Sequence, residues 1–360
     1  MSPGDPLVDA TIAVHSASRP IARAVASIVD HTKAPVRVNV VAHNIDPDII
    51  RTHLGPYADH PQVRLLSLQD GIHSPAGPMN HGFEHSTAPF LTLLGSDDEL
   101  APGALDSWLA LQRQTHADAV LPRIVILGRP TTPLPPIRTR TGARAVLLSA
   151  RRDRLSYRSA PLALIDRARF GHLRFTEGIG SGEDIAVSAE LWFASRRIAV
   201  DRKGPAYLGH EDAGDRVTSA LRTVPEDFAF LDAVDEAPWF RRMSRADRTA
   251  LVSKLLRIQF LGAITARRET IAEHTDDLRR VLTRLRRMAP RALSVLSRVD
   301  RKIIDEALSS APDPGRILEL AQERWNSRSL GVLLTRNPLF SLHAQAMLRL
   351  LRDADRIGEE

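Results

Sequence analysis

The stretch Phe90–Leu105, FLTLLGSDDELAPGAL, constrains this chain more than any other. Its first five residues are apolar except Thr92, a short bounded run of the kind that forms a strand buried in a parallel sheet. The run breaks at Gly95, and two adjacent carboxylates, Asp97 and Asp98, follow with Glu99 behind them. Pro102 and Gly103 punctuate the next turn, and helical spacing resumes over Ala104–Thr115. The acids therefore belong in the loop at the carboxyl end of a central strand, the edge where open α/β sheets bind ligands. Clustered carboxylates repel one another, and a divalent metal is the usual remedy. Hard oxygen ligands suit Mg²⁺ or Mn²⁺, which bring phosphates with them. The competing reading is structural: Ser96 or Asp97 caps a helix whose first turn favours acids.

The flanking sequence supplies the rest of an α/β domain. Val8–Val14, Val36–Ala42 and Val63–Leu68 read as buried strands, and Ile21–Val29 and Ile49–Leu54 as helices. Pro20 suits a helix start, where its missing N–H is harmless. Asp70–His81 is a Gly/Pro loop, with a short helix finishing over Gly82–Ser86. Ala119–Leu127 reads as one further strand, Arg129–Thr141 as a proline-rich loop, and Arg197–Asp201 and Pro205–Leu208 as late strands. Strands alternating with helices imply a doubly wound, mostly parallel, Rossmann-like sheet. From about Val224 the strand signals stop. Helical patterns follow at Glu226–Asp235, Arg245–Ala266, Ile271–Arg287, Asp300–Ser309, Pro314–Asn326 and Leu339–Asp355. The expected division is a catalytic domain over residues 1–223 and a helical domain over 224–360.

Composition narrows the function classes. The chain has 360 residues, 43% of them hydrophobic, so two domains with real cores are expected. It has no cysteine, which excludes disulfides and thiolate metal sites and fits a reducing cytoplasm. The N-terminus lacks the basic and apolar regions of a signal peptide, and no run approaches the roughly 18 apolar residues of a membrane span. The net charge is +6, and lysine occurs only at Lys33, Lys203, Lys254 and Lys302. Aromatics are 5% and no basic tract is interleaved with them, so nucleic-acid binding is not indicated. Residues 279–302 hold nine basic side chains against one acid, Asp300. That is a solvated helix face or, more sharply, a contact for an anionic polymer, the inner face of a membrane, or a second copy of the chain.

Three features recur in order: AVHSASRPIARAVASI, LTLLGSDDELAPGAL, and a flexible turn giving GEDIAVSAELW followed by YLGH. Together they resemble the family 2 glycosyltransferases, with a GT-A fold, over about residues 8–220. The resemblance implies an inverting transfer of a sugar from a nucleotide diphosphate donor, chiefly a UDP-sugar, to a hydroxyl of a surface polysaccharide, glycolipid or teichoic-acid-like polymer. It implies that Asp97 and Asp98, completed by His210, hold Mn²⁺ or Mg²⁺. Asp184, with Glu183, matches the acidic pair whose carboxylate acts as general base. The loop of His15, Ser16, Ser18 and Arg19, with His43, Asn44 and Ser96, would border the base and ribose. Asn80 matches a donor-facing asparagine, and Arg216 and Thr218 a loop that covers the diphosphate.

Three positions depart from the family pattern. Gly95 stands where an acid usually precedes the double acid, Ala42-His43-Asn44 where a strand often ends in aspartate, and Pro78-Met79 where a basic residue often precedes the asparagine. Two other classes remain. A sugar nucleotidyltransferase should have a Gly-rich basic loop after the first strand, and HSASRP has no glycine. A GT-A-like protein that binds a glycan or nucleotide without turnover would tolerate the departures.

Overall fold

The structure is a computed structural model, and it describes residues 5–129, 138, 146–210, 222–326 and 329–355. The described residues group into two compact units. The first takes 5–129, 146–148 and 159–210; the second takes 138, 149–158, 222–326 and 329–355.

The first unit is built on strands β1 (Val8–Val14), β2 (Val36–His43), β3 (Val63–Leu68), β4 (Phe90–Leu93), β5 (Glu99–Leu100), β6 (Ala119–Pro122), β7 (Ile124–Ile126), β8 (Leu147–Leu148), β9 (Leu164–Asp166), β10 (Ile198–Asp201) and β11 (Tyr207–Gly209). Its helices are α1 (Ile21–Val29), α2 (Pro47–Leu54), α3 (Ala76–Glu84), α4 (Ala104–Thr115), α5 (Arg167–Phe170) and α6 (Ile185–Ala194). The main sheet runs β3-β2-β1-β4-β9-β6-β10-β8. The neighbouring pairs β3·β2, β2·β1, β1·β4 and β6·β10 are parallel, while β9 and β8 run against their neighbours. The mostly parallel Rossmann-like sheet expected from the alternating pattern is therefore present. Val8, Ala10, Ile12 and Val14 of β1 are fully buried, as are Val38, Val40 and Ala42 of β2, because these strands have neighbours on both sides and helices against them.

Expectation and structure differ at two places that matter for the site. The run Ala119–Leu127 is two strands in two sheets, divided at Pro122-Arg123: β6 lies in the main sheet, and β7 in a small sheet of order β5-β11-β7. A proline cannot donate to a ladder, which favours a break there. The Gly/Pro loop is helical over α3, where Gly77, Pro78 and Gly82 masked the periodicity. Gly82 is required by contact, since a Cβ there would lie 2.2 Å from Thr11 Cγ2.

The second unit is helical: α7 (Val224–Asp227), α8 (Phe230–Asp235), α9 (Pro238–Arg242), α10 (Arg245–Leu255), α11 (Leu261–Ala266), α12 (Ile271–Met288), α13 (Arg298–Ala307), α14 (Pro314–Trp325), α15 (Leu330–Leu333) and α16 (Met347–Asp355). A π-helical turn, Leu256–Phe260, joins α10 to α11. The continuous stretch Arg245–Ala266 has a mean hydropathy of 1.2 over its most apolar window, enough by length and composition for a membrane span, yet 72% of that window is buried. That burial is the mark of a core helix. Capping boxes start α7 at Thr223 and α13 at Ser297. Residues 149–158 group with these helices rather than with the sheet: Arg154 is buried, donating to the Ala344 carbonyl at 2.9 Å and pairing with Asp353 at 2.9 Å.

Candidate functional site

The acid loop leaves β4 and enters β5 almost at once. Leu94 N donates to Thr11 O at 3.1 Å, which extends the β1–β4 pairing, and Asp98 N closes a turn onto Gly95 O at 3.1 Å. Helix α4 begins only at Ala104, behind a left-handed Gly103, so neither Ser96 nor Asp97 caps a helix. The turn sends its two carboxylates to different partners. Asp97 accepts from Arg19 Nη1 at 2.5 Å, and its main-chain carbonyl accepts from the Arg23 guanidinium. Asp98 accepts from the Tyr207 hydroxyl at 2.5 Å and from the His210 amide at 3.0 Å. The same hydroxyl accepts from Gly95 N at 3.1 Å.

These contacts exist because β11 lies beside β5, with Tyr207 opposite Leu100 and Leu208 opposite Glu99. The small sheet thus carries Tyr207 and His210 to the acid loop. Burial pushes the Asp98 carboxyl above its ordinary range, and the neighbouring Asp97 charge adds to this; the bonds from Tyr207 and His210 offset only part of it. Burial and the Asp98 charge push the Tyr207 hydroxyl well above its usual value, so it remains a donor. Gly95 is explained by the same geometry. A Cβ there would sit 2.4 Å from Asp98 Oδ2 and 3.2 Å from Asp97 Oδ1. An acidic side chain, which the resemblance leads one to expect at this position, would meet the Asp98 carboxylate while Asp98 lies over the turn.

The three residues expected to hold a cation are thus engaged in different ways. The His210 ring lies against Glu99 at 3.2 Å, and its main chain supports Asp98. Asp98 is bonded to the Tyr207 hydroxyl and the His210 amide. Asp97 faces the polar loop after β1, with its carboxylate 22% exposed. Among the described residues no group of three His, Asp or Glu side chains is arranged to hold a metal ion.

The carboxyl ends of β1, β2 and β3 lie along the same sheet edge as the acid loop, because β1 to β4 are parallel. After β1, His15 is exposed, and the Ser16 and Ser18 hydroxyls bond to each other at 2.7 Å. After β2, the His43 ring bonds Asp70 at 2.9 Å, and the Asn44 amide donates to Asp70 at 3.1 Å and to the Ile72 carbonyl at 3.1 Å. Asn44 adopts a left-handed backbone (φ 54°), which asparagine tolerates better than most residues. Burial alone would raise the Asp70 carboxyl. The bonds from Ile72 N, His43 and Asn44 outweigh it and leave the group below the usual range. The second strand lacks a terminal acid, and Asp70 from the neighbouring loop brings a carboxylate to its end.

Glu183 and Asp184 stand where α6 begins. Glu183 O accepts from Thr176 N at 3.0 Å, and Asp184 O accepts from Ser188 N at 3.0 Å. The Asp184 side chain makes no capping bond to the helix. Asn80 does not cap α3; it sits within the helix, buried. Its carboxamide accepts from Phe175 N at 2.7 Å and donates to the Phe175 carbonyl at 3.0 Å and to Glu177 Oε1 at 2.7 Å. These bonds tie α3 to the segment leading to Glu183. Arg216 and Thr218 lie outside the described residues.

Four residues of this site escaped the sequence reading. Arg23 carries a signal, since it lies one helical turn after Arg19. Glu99 also carries one, being the third acid of the run. Tyr207 and Asp70 carry none beyond their position after an apolar segment, because strand pairing across 100 residues is not written in local pattern.

The sequence model of the family described as Glycosyl transferase family 2 matches residues 10–173. No curated protein matches the chain. Among solved structures, S. aureus TarS 1–349 in complex with UDP-GlcNAc superposes with a TM-score of 0.68 at 14% identity, covering 89% of this chain and 91% of that one. The same fragment in complex with UDP gives 0.64 at 14% identity, covering 89% and 92%. S. aureus TarS gives 0.62 at 13% identity, covering 88% of this chain and 55% of that one. At such identities the likeness is one of fold.

Proposed function

We infer that this chain transfers a sugar from a nucleotide diphosphate donor to a hydroxyl acceptor, a reading supported by the match of the Glycosyl transferase family 2 model to residues 10–173. The observation that carries the reading is the acid loop: Asp97 stands at the carboxyl edge of a parallel sheet with two arginines on it. The donor is a UDP-sugar, a choice supported by the fold likeness to a protein crystallised with UDP-GlcNAc.

In this reading the base and ribose lie along the His15–Ser18 loop, His43, Asn44 and Ser96, with Asp70 holding the histidine and asparagine in place. Arg19 exchanges its bond to Asp97 for one to the incoming diphosphate, a planar guanidinium being suited to either anion. A hard cation is held by one or two carboxylates plus phosphate oxygens and water more often than by a full protein cage. Asp97 suits that role for Mn²⁺ or Mg²⁺, with Asp98 and His210 keeping the loop in shape. When bound, such an ion stabilises the charge of the leaving diphosphate. Asp184, assisted by Glu183, takes the proton of the acceptor hydroxyl as its oxygen bonds the sugar carbon from the face opposite the breaking bond to the diphosphate, and this single displacement inverts the carbon. Arg216 and Thr218, outside the described residues, are assigned to the diphosphate by the family resemblance alone. The acceptor is a hydroxyl of a cell-surface polysaccharide, glycolipid or teichoic-acid-like polymer. In this reading the protein works in the cytoplasm, in peripheral contact with the inner membrane face, and a second copy of the chain is a further partner.

The test is a thermal shift series with UDP, GDP, dTDP and CDP, each with and without Mn²⁺. At a hundredfold excess over Kd, a ligand of the native state adds about 2.7 kcal/mol. A rise with UDP that needs Mn²⁺ and is lost in Asp97→Ala is expected. No rise with any nucleotide refutes the donor site. The Arg19–Asp97 pair, which neutralises the acid without a cation, favours a second reading, a domain that binds without turnover. Slow hydrolysis of UDP-GlcNAc or another donor separates the two.

A further inference from the structure

The basic run at residues 279–302 does not form one uniform charged face. On α12, Arg279 pairs with Asp276 at 3.0 Å, Arg280 with Asp277, Arg284 with Asp232 at 2.6 Å, and Arg287 with Asp235 at 3.2 Å. Arg286 has no carboxylate against it among the described residues. It lines instead a cavity of about 450 Å³ between the end of α12, the segment after it, and α13. Arg301 and Asp305 of α13 line the same cavity, over an apolar floor of Leu282, Leu293 and Ile304. Asp305 is shared: one carboxylate oxygen lies 3.9 Å from Arg301 Nη2, and the other accepts from the Arg336 guanidinium.

Two guanidiniums, Arg301 and Arg336, therefore share one carboxylate, and Arg286 adds a third positive charge to the cavity lining, so these four side chains carry a surplus of two positive charges. Partial burial lowers the Arg301 pKa, and the Arg336 and Arg286 charges lower it further, against the opposing effect of Asp305. Helix packing holds these like charges together, and an anion would relieve them. The space exceeds what a bare phosphate fills, since a water takes roughly 30 Å³, and it falls within the range of roughly 300–1,000 Å³ of small-ligand pockets. The surplus adjoins the apolar floor. A charged phosphate carrying an organic group suits both parts.

We propose that the cavity of Arg286, Arg301 and Asp305, with Arg336 behind it, is a binding site for a phosphoester group, separate from the acid loop. The ester belongs either to a soluble phosphorylated glycan fragment or to a lipid headgroup, and these share the same chemistry at the arginines. The inference does not rest on the proposed glycosyl transfer.

The experiment uses the full chain. Glycerol 3-phosphate is titrated by calorimetry at fixed ionic strength, with glycerol and chloride as controls. Vesicles of phosphatidylcholine, with and without phosphatidic acid, are assayed by co-sedimentation. The variants are the double change Arg286→Gln/Arg301→Gln and, at an exposed position whose guanidinium pairs with Asp305 of α13, Arg336→Gln. The expected result is binding of glycerol 3-phosphate or of the phosphatidic-acid vesicles, weakened about tenfold or more in the double variant and less in Arg336→Gln. That is the scale of one charge-assisted contact. The UDP-induced thermal shift is expected to stay unchanged in both variants. Binding to vesicles but not to glycerol 3-phosphate supports the proposal with a lipid as the source, and the converse supports a soluble ester. No binding of either by the unaltered protein overturns the proposal, as does equal binding by folded variants.

Discussion

Replacing Tyr207 with phenylalanine isolates the bond that shapes the acid loop. The ring stays, and Tyr207 is only 3% exposed, so the change removes a hydroxyl without opening a cavity. Two bonds go with it: the one donated to Asp98 at 2.5 Å and the one accepted from Gly95 N at 3.1 Å. A hydrogen bond to a charged group contributes about 1.5–3 kcal/mol, and an orphaned buried amide costs about 1–3 kcal/mol. Gly95 and Asp98 are only partly buried, so the lower part of each range applies, and the expected loss is about 3 kcal/mol. For a unit of this size that lowers Tm by about 6–12 °C. The assay is urea unfolding, read as a fall in the midpoint at constant m. Asp98→Ala removes the acceptor altogether, and the double change with Tyr207→Phe should cost less than the sum of the two, with a coupling of about 1 kcal/mol or more. A loss below about 0.5 kcal/mol, with additive single changes, would refute the claim that this bond holds the loop.

Two further outcomes are expected. Arg257→Met should destabilise the helical unit by about 3–5 kcal/mol in chemical unfolding, because Arg257 is buried against Asp300 at 3.5 Å and donates to the Val295 and Gln345 carbonyls, so its loss strands polar groups inside the core. Asp70, whose folded pKa lies below its ordinary value, contributes stability that is present above the unfolded carboxylate pKa and is lost as pH falls through the folded one. The acid limb of the stability profile should therefore flatten in Asp70→Asn, and an unchanged limb would show that the His43–Asn44–Asp70 cluster contributes nothing measurable.

The alternation of strand and helix was legible because both periods are local. β1 and β3 match their expected bounds at Val8–Val14 and Val63–Leu68, as does α1 at Ile21–Val29. These elements bury apolar residues at regular spacing, and burial is what the period records. Helix α3 was hidden, since Gly77, Pro78 and Gly82 speak against a helix locally while contacts with Thr11 and Asp70 require small residues there. The division of Ala119–Leu127 between two sheets was hidden for a related reason: an apolar run says that it is buried, not against which strand.

The sequence by itself determined that acids stand at the carboxyl end of a central strand, that a parallel sheet supports them, and that helices alone follow. Composition and period suffice for that, because each statement concerns neighbours along the chain. Only the tertiary structure decided what the two acids do. Asp97 meets Arg19, 78 residues away, while Asp98 meets Tyr207, 109 residues away. The pairing of β11 with β5 sets that difference, and it leaves Gly95 as the residue whose missing side chain makes room for Asp98. Two adjacent, chemically identical carboxylates acquire separate roles because the partners that separate them arrive from opposite ends of the domain.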